Sequence, residues 1–251
     1  MITFNGTDLS PYLEVNDIKR PILPDQELTT LSIPGRQGTF LFYKQKGALI
    51  IPVDVTIKGK TRADLRQKIR DVADILDTDE ELTAQTIFHD EPDKYVMAAV
   101  DGATELNEIY KTGQGTLNFY CPDPYYYALS DDVFVYSSPG DYSFTRKGTA
   151  PSYPLIKIEG TNSGGSITIS SNEINTLTFD GELKTGEVLV LDSDLITAYI
   201  EKTTGEKVSV MQHLDTLDFP VLKKGENTFS VSVDGGATVT SINVKCNSRW
   251  K

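Results

Sequence analysis

Two histidines, His89 and His213, are the side chains best suited to acid–base or metal chemistry near neutral pH. A zinc site needs further His or Cys residues at short spacing, and neither histidine has such a neighbour. A serine nucleophile would need one of these histidines and a G-x-S-x-G turn, whereas GTNSGG around Ser163 indicates an ordinary turn. Ordinary strand histidines are therefore the favoured interpretation.

Carboxylates offer two further kinds of chemistry. Asp77, Asp79 and Glu81 have the alternating spacing of a calcium-binding loop, but that loop needs Gly at its sixth position and Glu at its twelfth. The chain has Leu82 and Phe88 there. Paired carboxylates for glycoside hydrolysis stay open, because a chain with 36 acidic residues always offers pairs.

Nucleotide chemistry has even less support. Gly113-Gln114-Gly115 begins like a dinucleotide-binding G-x-G-x-x-G, but position 118 is Asn and a strand pattern follows in place of a helix. No phosphate-binding G-x-x-x-x-G-K-[ST] stretch occurs. We therefore predict that the protein is not an enzyme and that it has no catalytic residues, no cofactor and no metal.

The composition restricts the partners. The 251 residues carry a formal charge of −12, which disfavours binding to a phosphate backbone, so we predict no sequence-specific nucleic acid partner. Residues 1–135 hold 13 Lys/Arg and 22 Asp/Glu and are the more acidic half. Cys121 and Cys246 are too far apart to suggest a disulfide framework, so we expect free thiols and a reducing compartment. The N-terminus resembles no signal peptide, and no apolar run is long enough for membrane insertion.

The elements that would position these side chains are mostly strands. Residues 1–135 indicate a β-rich domain with a single helix at about 61–77, which Thr61 would cap with Asp64 three residues later. The pair Asn5-Gly6 predicts a hairpin turn. Two more hairpins are predicted, AQTIFH with KYVMAAV, and ELNEIYK with GTLNFYC around a turn at Thr112-Gly113-Gln114.

Residues 136–251 show short strands at regular spacing, separated by Gly, Asp and Asn. Eight or so such strands without a helix indicate an antiparallel β-sandwich, of jelly-roll type. The Ser-, Pro- and Gly-rich stretch at 128–154 is the expected junction between the domains. The predicted fold class is thus mainly β, with two domains at 1–135 and 136–251.

The stretch SIPGRQGTFLFYKQKGALIIPVDVTIKG at 32–59 contains the feature that composition does not explain. We expect two strands in hairpin relation, with a turn at Gln45-Lys46-Gly47 and with Val53, Val55 and Ile57 on the buried face of the second strand. The first strand, Phe40–Tyr43, puts bulky apolar groups on both faces. Either both faces are buried inside this chain, or one face awaits a partner.

Several motifs together resemble the distal tail protein family of long-tailed, non-contractile bacteriophages. They are IPGRQG (33–38), GALIIPVDVTIKG (47–59), DVADIL (71–76), DKYVMAAVDG (93–102) and GTLNFYCPDPYYY (115–127). The last is the most specific, since a strand of the form x-F-x-C-x-D-P-Y closes the family's N-terminal domain. The ending NVKCNSRWK is also similar, although elsewhere in the C-terminal half the resemblance is little more than architecture.

The resemblance implies an N-terminal domain that assembles into a hexameric ring, as one ring or as two back to back, with a galectin-like or carbohydrate-module-like sandwich projecting outward. The ring would be the hub of the tail tip in the virion, assembled in the host cytoplasm. It would join the tail tube and tape-measure protein to the tail-associated lysin or fibre protein. An acidic lumen would repel DNA and let the genome pass.

For the subunit interface this implies a region, and we predict that it includes Ile33, Pro34, Gly35, Arg36, Phe40, Leu41, Phe42 and Tyr43. Arg36 could form a bidentate pair across the interface. The equally weighted alternative is that Pro34-Gly35 only makes a turn and that Arg36 makes a local bond.

Two other functions compete with the tail hub. A carbohydrate-binding sandwich would bind glycans through its C-terminal domain, but flat aromatic rings usually line such sites and residues 154–251 have only five aromatics. Weak glycan binding by this domain therefore stays open. A glycosidase accessory protein would need catalytic carboxylates, and no sequence motif indicates them. The three tyrosines at 125–127 suggest interface burial instead.

Overall fold

A computed structural model of the protein describes residues 1–78, 81–101, 105–172 and 175–251. The chain divides into two compact units, Met1–Leu129 with Lys251, and Ser130–Trp250. The boundary expected from the sequence, between residues 135 and 136, falls inside a strand that pairs within the second unit, Val133–Tyr136.

The first unit consists, in its described part, of eleven strands and one α-helix, α1 (Arg62–Leu76). The strands are β1 (Ile2–Phe4), β2 (Thr7–Asp8), β3 (Glu14–Ile18), β4 (Gln26–Leu31), β5 (Phe40–Lys46), β6 (Leu49–Lys58), β7 (Ala84–Phe88), β8 (Lys94–Asp101), β9 (Asn107–Ile109), β10 (Thr112–Cys121) and β11 (Tyr126–Ala128).

The main sheet of this unit is antiparallel, in the order β2-β1-β7-β8-β10-β6-β3, with β9 pairing to β10 and β11 to β8. The Asn5-Gly6 turn is confirmed: both residues have positive φ, 46° and 76°, as a tight two-residue hairpin requires. The β7–β8 hairpin is also confirmed.

Two predicted details of strand pairing are wrong. The strand that contains Phe40–Tyr43 does not pair with β6. It pairs with β4, while β10 pairs along the whole of β6 and β3 pairs with Val53–Thr56 on the other edge. The turn before β10 lies at Tyr110-Lys111, where Tyr110 has φ of 57°, and the predicted turn residues Thr112–Gln114 are the first residues of β10 itself.

Helix α1 begins as the sequence predicts. The Thr61 side chain accepts a hydrogen bond from the Asp64 amide at 3.1 Å, and the Asp64 carboxylate accepts one from the Lys60 amide at 2.6 Å. The first bond satisfies an amide that the first turn of a helix leaves without a partner, and the second holds the residue that precedes the cap. Leu65 and Val72 are buried against the sheet, which fixes the side of the helix that faces the core.

The core of the first unit lies between α1 and the buried apolar side chains of β1, β6, β7, β8 and β10. Val53, Val55 and Ile57 are buried, as their alternation predicts. The Phe119 ring lies 6.1 Å from that of Phe4 and 5.8 Å from that of Phe88, the second pair edge to face. Such ring contacts add to the burial that stabilises the sheet.

The second unit is built of eleven strands and one short 3₁₀ helix at Met211–His213 in its described part. The strands are β12 (Val133–Tyr136), β13 (Gly140–Arg146), β14 (Leu155–Thr161), β15 (Ser166–Ser171), β16 (Asn175–Phe179), β17 (Val188–Asp192), β18 (Thr197–Glu201), β19 (Lys207–Ser209), β20 (Gly225–Asp234), β21 (Thr238–Lys245) and β22 (Arg249–Trp250).

Two antiparallel sheets form a sandwich, one in the order β12-β21-β14-β17-β18-β19 and the other in the order β13-β20-β15-β16. Their inner faces share one apolar core. Ile156 and Ile158 come from the first sheet, and Ile167, Ile169 and Phe229 from the second. The predicted sandwich is therefore confirmed.

Candidate functional site at the hairpin arm

The most unusual feature of the first unit is a two-stranded hairpin, residues 26–46, which we call the arm. Among the described residues, strands β4 and β5 pair only with each other, from Gln26 with Lys46 to Leu31 with Phe40. The base of the arm is fixed where the Gly47 amide donates to the Asp25 carbonyl at 2.7 Å. The Lys46 ammonium also lies 3.3 Å from the Tyr125 hydroxyl and 4.8 Å from its ring centroid.

The tip of the arm is a tight turn. The Arg36 amide donates to the Ile33 carbonyl at 3.1 Å, and Gly35 has φ of 81°, which only glycine adopts without strain. Pro34 followed by Gly35 is the typical sequence of a type II turn. The Arg36 guanidinium stacks over the Phe40 ring at 4.3 Å. These contacts show the local role of Pro34-Gly35 and Arg36, and their role in an interface stays a prediction.

The apolar side chains of the arm are exposed on both of its faces. Phe42 is 81% exposed, Leu41 58%, Tyr43 54% and Phe40 42%. Leu28, Leu31 and Ile33 of the arm are exposed as well. Of the two explanations for the Phe40–Tyr43 pattern, burial of both faces within this chain is therefore wrong. A set of exposed apolar groups of this size is typical of a surface that binds another molecule.

A second feature of the same unit is an apolar cleft of about 410 Å³ between α1 and the sheet. We call it the helix cleft. Its walls include Val55 and Ile57 of β6 and Leu117 of β10, and its rim includes Ala73 and Asp77 at the end of α1. The remaining lining residues are Leu13, Ile69, Val72, Leu76, Thr78, Ala99, Val100 and Leu106.

The sequence analysis missed this cleft. Apolar residues recur at helical spacing along α1, but only Leu65 and Val72 among them are fully buried, whereas Ile69 and Leu76 are half-buried and Ala73 is exposed. Helical periodicity tells which residues face the sheet, but not how closely the two surfaces meet. The incomplete burial of the stripe appears only once the sheet opposite it is known.

The histidines and carboxylates considered for catalysis or metal binding do not form a catalytic or metal site in the described part of the chain. His213 Nδ1 lies 3.3 Å from an Asp180 carboxylate oxygen in the second unit, and His89 belongs to the first. Of the proposed calcium ligands, Asp79 lies outside the described residues. No group of three His, Cys, Asp or Glu residues that could hold a metal ion occurs among the residues described.

The two cysteines are free and buried, as predicted. Burial raises the pKa of each thiol to about 12, with Asp123 acting in the same direction on Cys121 and Asp132 on Cys246. Both therefore stay protonated near neutral pH and are poor nucleophiles. Among the described residues, no helix is long and apolar enough to cross a membrane.

Known proteins resemble both units. A family model described as the phage tail protein RIFT-related domain matches residues 5–121. A second, described as the C-terminal domain of a siphovirus-type tail component, matches residues 147–250. The fold and these two matches define a siphovirus tail component.

Similarity to individual proteins indicates which kind of tail component this is. The distal tail protein of Bacillus phage SPP1 is 28% identical over 198 residues, which cover 75% of each chain. The crystal structure of SPP1 Dit, described as a paradigm of the hub adsorption apparatus in phages that infect Gram-positive bacteria, superposes with a TM-score of 0.81. That superposition covers 100% of this chain and 98% of the other at 18% identity, and it supports the fold. The chain belongs to the distal tail protein family.

Proposed function

We propose that this protein is the hub of a phage tail tip, assembled as a hexameric ring or as two such rings back to back. The ring joins the tail tube and tape-measure protein to the tail-associated lysin or fibre protein, and it forms in the host cytoplasm before entering the virion. Membership of the distal tail protein family supports this role, as does the description of SPP1 Dit as part of a hub adsorption apparatus.

The observation that carries the proposal is the exposed arm. It presents seven large apolar side chains to solvent, and full burial of each would contribute about 1.5–3 kcal/mol. Only part of that becomes binding energy, since association also costs translational freedom and side-chain order. A repeating contact between copies of the chain would cover the same groups on every subunit.

The charge of the first unit supports passage of DNA through the ring. Residues 1–129 carry 13 Lys/Arg and 20 Asp/Glu, so a lumen lined by this unit is negative on average. A negative lumen repels phosphates and gives the genome no adhesive surface. The role is that of a structural connector and not of an enzyme.

Glycan binding by the second unit stays a prediction, and three of its aromatic residues do not support it. Phe179, Phe219 and Phe229 are all buried in the sandwich core, so they cannot stack on a sugar at the surface. The tail hub is therefore the better-supported function.

The mass of the purified protein in solution tests the proposal. We expect light scattering on a sizing column to give six or twelve copies of the 27.7 kDa chain. A chain that remains monomeric at high concentration would contradict self-assembly through the arm.

A matched variant tests the arm itself. Because Glu27 pairs with Gln45, residues 28–44 can be replaced by Asn-Gly, which closes a short hairpin at that pair. The base contacts at Gly47 and Lys46 are kept, so the shortened chain should fold and run as a monomer. If it still forms rings, the arm is not the assembly element.

A further inference from the structure

The arm and the helix cleft lie at opposite ends of one strand, β6. The arm leads into β6 at Leu49 through Gly47, whereas the cleft is lined by Val55 and Ile57. At about 3.3 Å per residue, Leu49 and Val55 are about 20 Å apart. One copy therefore carries a protruding surface at one end and a receiving surface at the other. A contact between two such different surfaces is head-to-tail, the kind of contact that forms a ring when the rotation between copies closes and an open filament when it does not.

The size of the cleft suits aromatic side chains. An apolar protein cavity of about 150 Å³ can hold one benzene molecule, so the 410 Å³ of the helix cleft can hold two phenyl rings. Phe40 and Tyr43 lie opposite Leu31 and Thr29 of β4, with a bulge in β5 between them, and hence point to the same face of the arm. Both are exposed.

Charge favours the same pairing. The arm, residues 26–46, has three cations and one anion, for a net charge of +2. The remainder of residues 1–129 has ten cations and 19 anions, for a net charge of −9. At the cleft, the last turn of α1 has no basic residue, and Asp74 and Asp77 stand at the end of the helix where the dipole is negative.

From these observations we infer that the Phe40 and Tyr43 side chains of one copy insert into the helix cleft of a second copy, which brings the positively charged arm to the acidic end of α1. The inference rests on the proposed ring and names the receiving surface of its repeating contact. Ile69, Val72 and Leu76 are then covered in the assembly by the partner's arm.

Cross-linking between two single-cysteine variants tests the contact directly. Phe42→Cys and Ala73→Cys each add one exposed thiol, while Cys121 and Cys246 are buried and should not react. When the variants are mixed with a short bismaleimide, we expect a covalent dimer that neither variant forms alone. This product joins different copies by construction. No mixed dimer, or equal dimer formation by Phe42→Cys alone, would overturn the inference.

Filling the cleft provides the second test. Ala73→Trp occupies the cleft from its exposed rim, and Ala63→Trp is the matched control, since Ala63 is exposed on the first turn of α1 away from the cleft. We expect Ala73→Trp to raise the protein concentration needed for half-assembly at least tenfold. We expect Ala63→Trp to leave that concentration unchanged. Rings formed equally well by Ala73→Trp would overturn the cleft as the receiving surface and leave the proposed ring intact. A monomeric unmodified chain would instead contradict the proposed function, and the cross-linking result would still judge the contact at high concentration.

Discussion

Two strands of this protein have the same apolar pattern and opposite environments. In the arm, β5 begins Phe-Leu-Phe-Tyr and is exposed on both faces. In the sandwich, β17 begins Val-Leu-Val-Leu, and Leu189, Val190 and Leu191 are fully buried. The difference lies in the neighbours. β5 has one partner strand, while β17 pairs with β14 on one side and β18 on the other.

The burial of Val190 shows how the outer face of β17 is covered. Leu189 and Leu191 belong to the sandwich core, whereas Val190 points to the other side of the sheet. Its register partners there are Lys157 and Tyr199, and the Lys207 ammonium lies 5.0 Å from the Tyr199 ring centroid. Long amphipathic side chains can cover an apolar group while keeping their polar ends in water. In the arm Arg36 covers Phe40 in this way, but Leu41, Phe42 and Tyr43 stay more than half exposed and are available to another molecule.

The largest effect should come from the core face of β17. Leu191→Ala leaves a cavity in the sandwich and should lower the free energy of unfolding by about 2–5 kcal/mol. Leu41→Ala in the arm should change it by less than about 0.5 kcal/mol, because Leu41 is exposed in the isolated chain. Urea unfolding in dilute protein measures both. A comparable loss for Leu41→Ala would show that the arm packs against its own chain.

The contrast between these strands also shows what the sequence can predict. The Asn5-Gly6 hairpin and the Thr61 cap depend on residues a few positions apart, and both were predicted. The partner of β5 was not, because strand pairing depends on the whole sheet: β10 pairs along all of β6, and β3 pairs with Val53–Thr56 on its other edge. That information is spread over the chain.

The candidate site, like the fold, was predictable in part. Apolar residues on both faces of Phe40–Tyr43 indicated a strand in need of covering, and their exposure agrees with that interpretation. The helix cleft was not predictable, since it depends on the distance between α1 and three strands from separate parts of the sequence. A pattern of side chains specifies which faces are apolar, but a gap between two faces is set by tertiary packing.

A smaller difference in the free energy of unfolding should distinguish substitutions on the outer face of β17 from substitutions in the arm. Val190→Ala removes two buried carbon atoms and should lower the free energy of unfolding by about 1.5 kcal/mol. Phe42→Ala removes a far larger side chain, yet its effect on the dilute chain should stay within about 0.5 kcal/mol.

The same two variants should rank in reverse when assembly is measured. On a sizing column Phe42→Ala should shift the protein towards monomer, while Val190→Ala should assemble normally. If both variants lose stability and assembly in parallel, the comparison fails. The side chains of the two strands would then be equally buried in their own chain.

The smallest effect tests whether neighbouring side chains cover Val190. Lys157→Ala removes the aliphatic chain beside Val190 and an ion pair to Glu201 of 3.6 Å, and it should cost about 0.5 kcal/mol in thermal or urea unfolding. Lys184→Ala is the matched control, because it breaks a similar surface pair, 3.8 Å from Glu182, with its side chain 66% exposed.

If the ion pair were the whole effect, both variants would lose the same small amount, and high salt would abolish both losses. If the aliphatic cover matters, the loss in Lys157→Ala should persist in 1 M salt, roughly where the Debye length is about 3 Å. Persistence would show that neighbouring side chains cover the outer face of β17, whereas Leu41, Phe42 and Tyr43 of the arm stay more than half exposed.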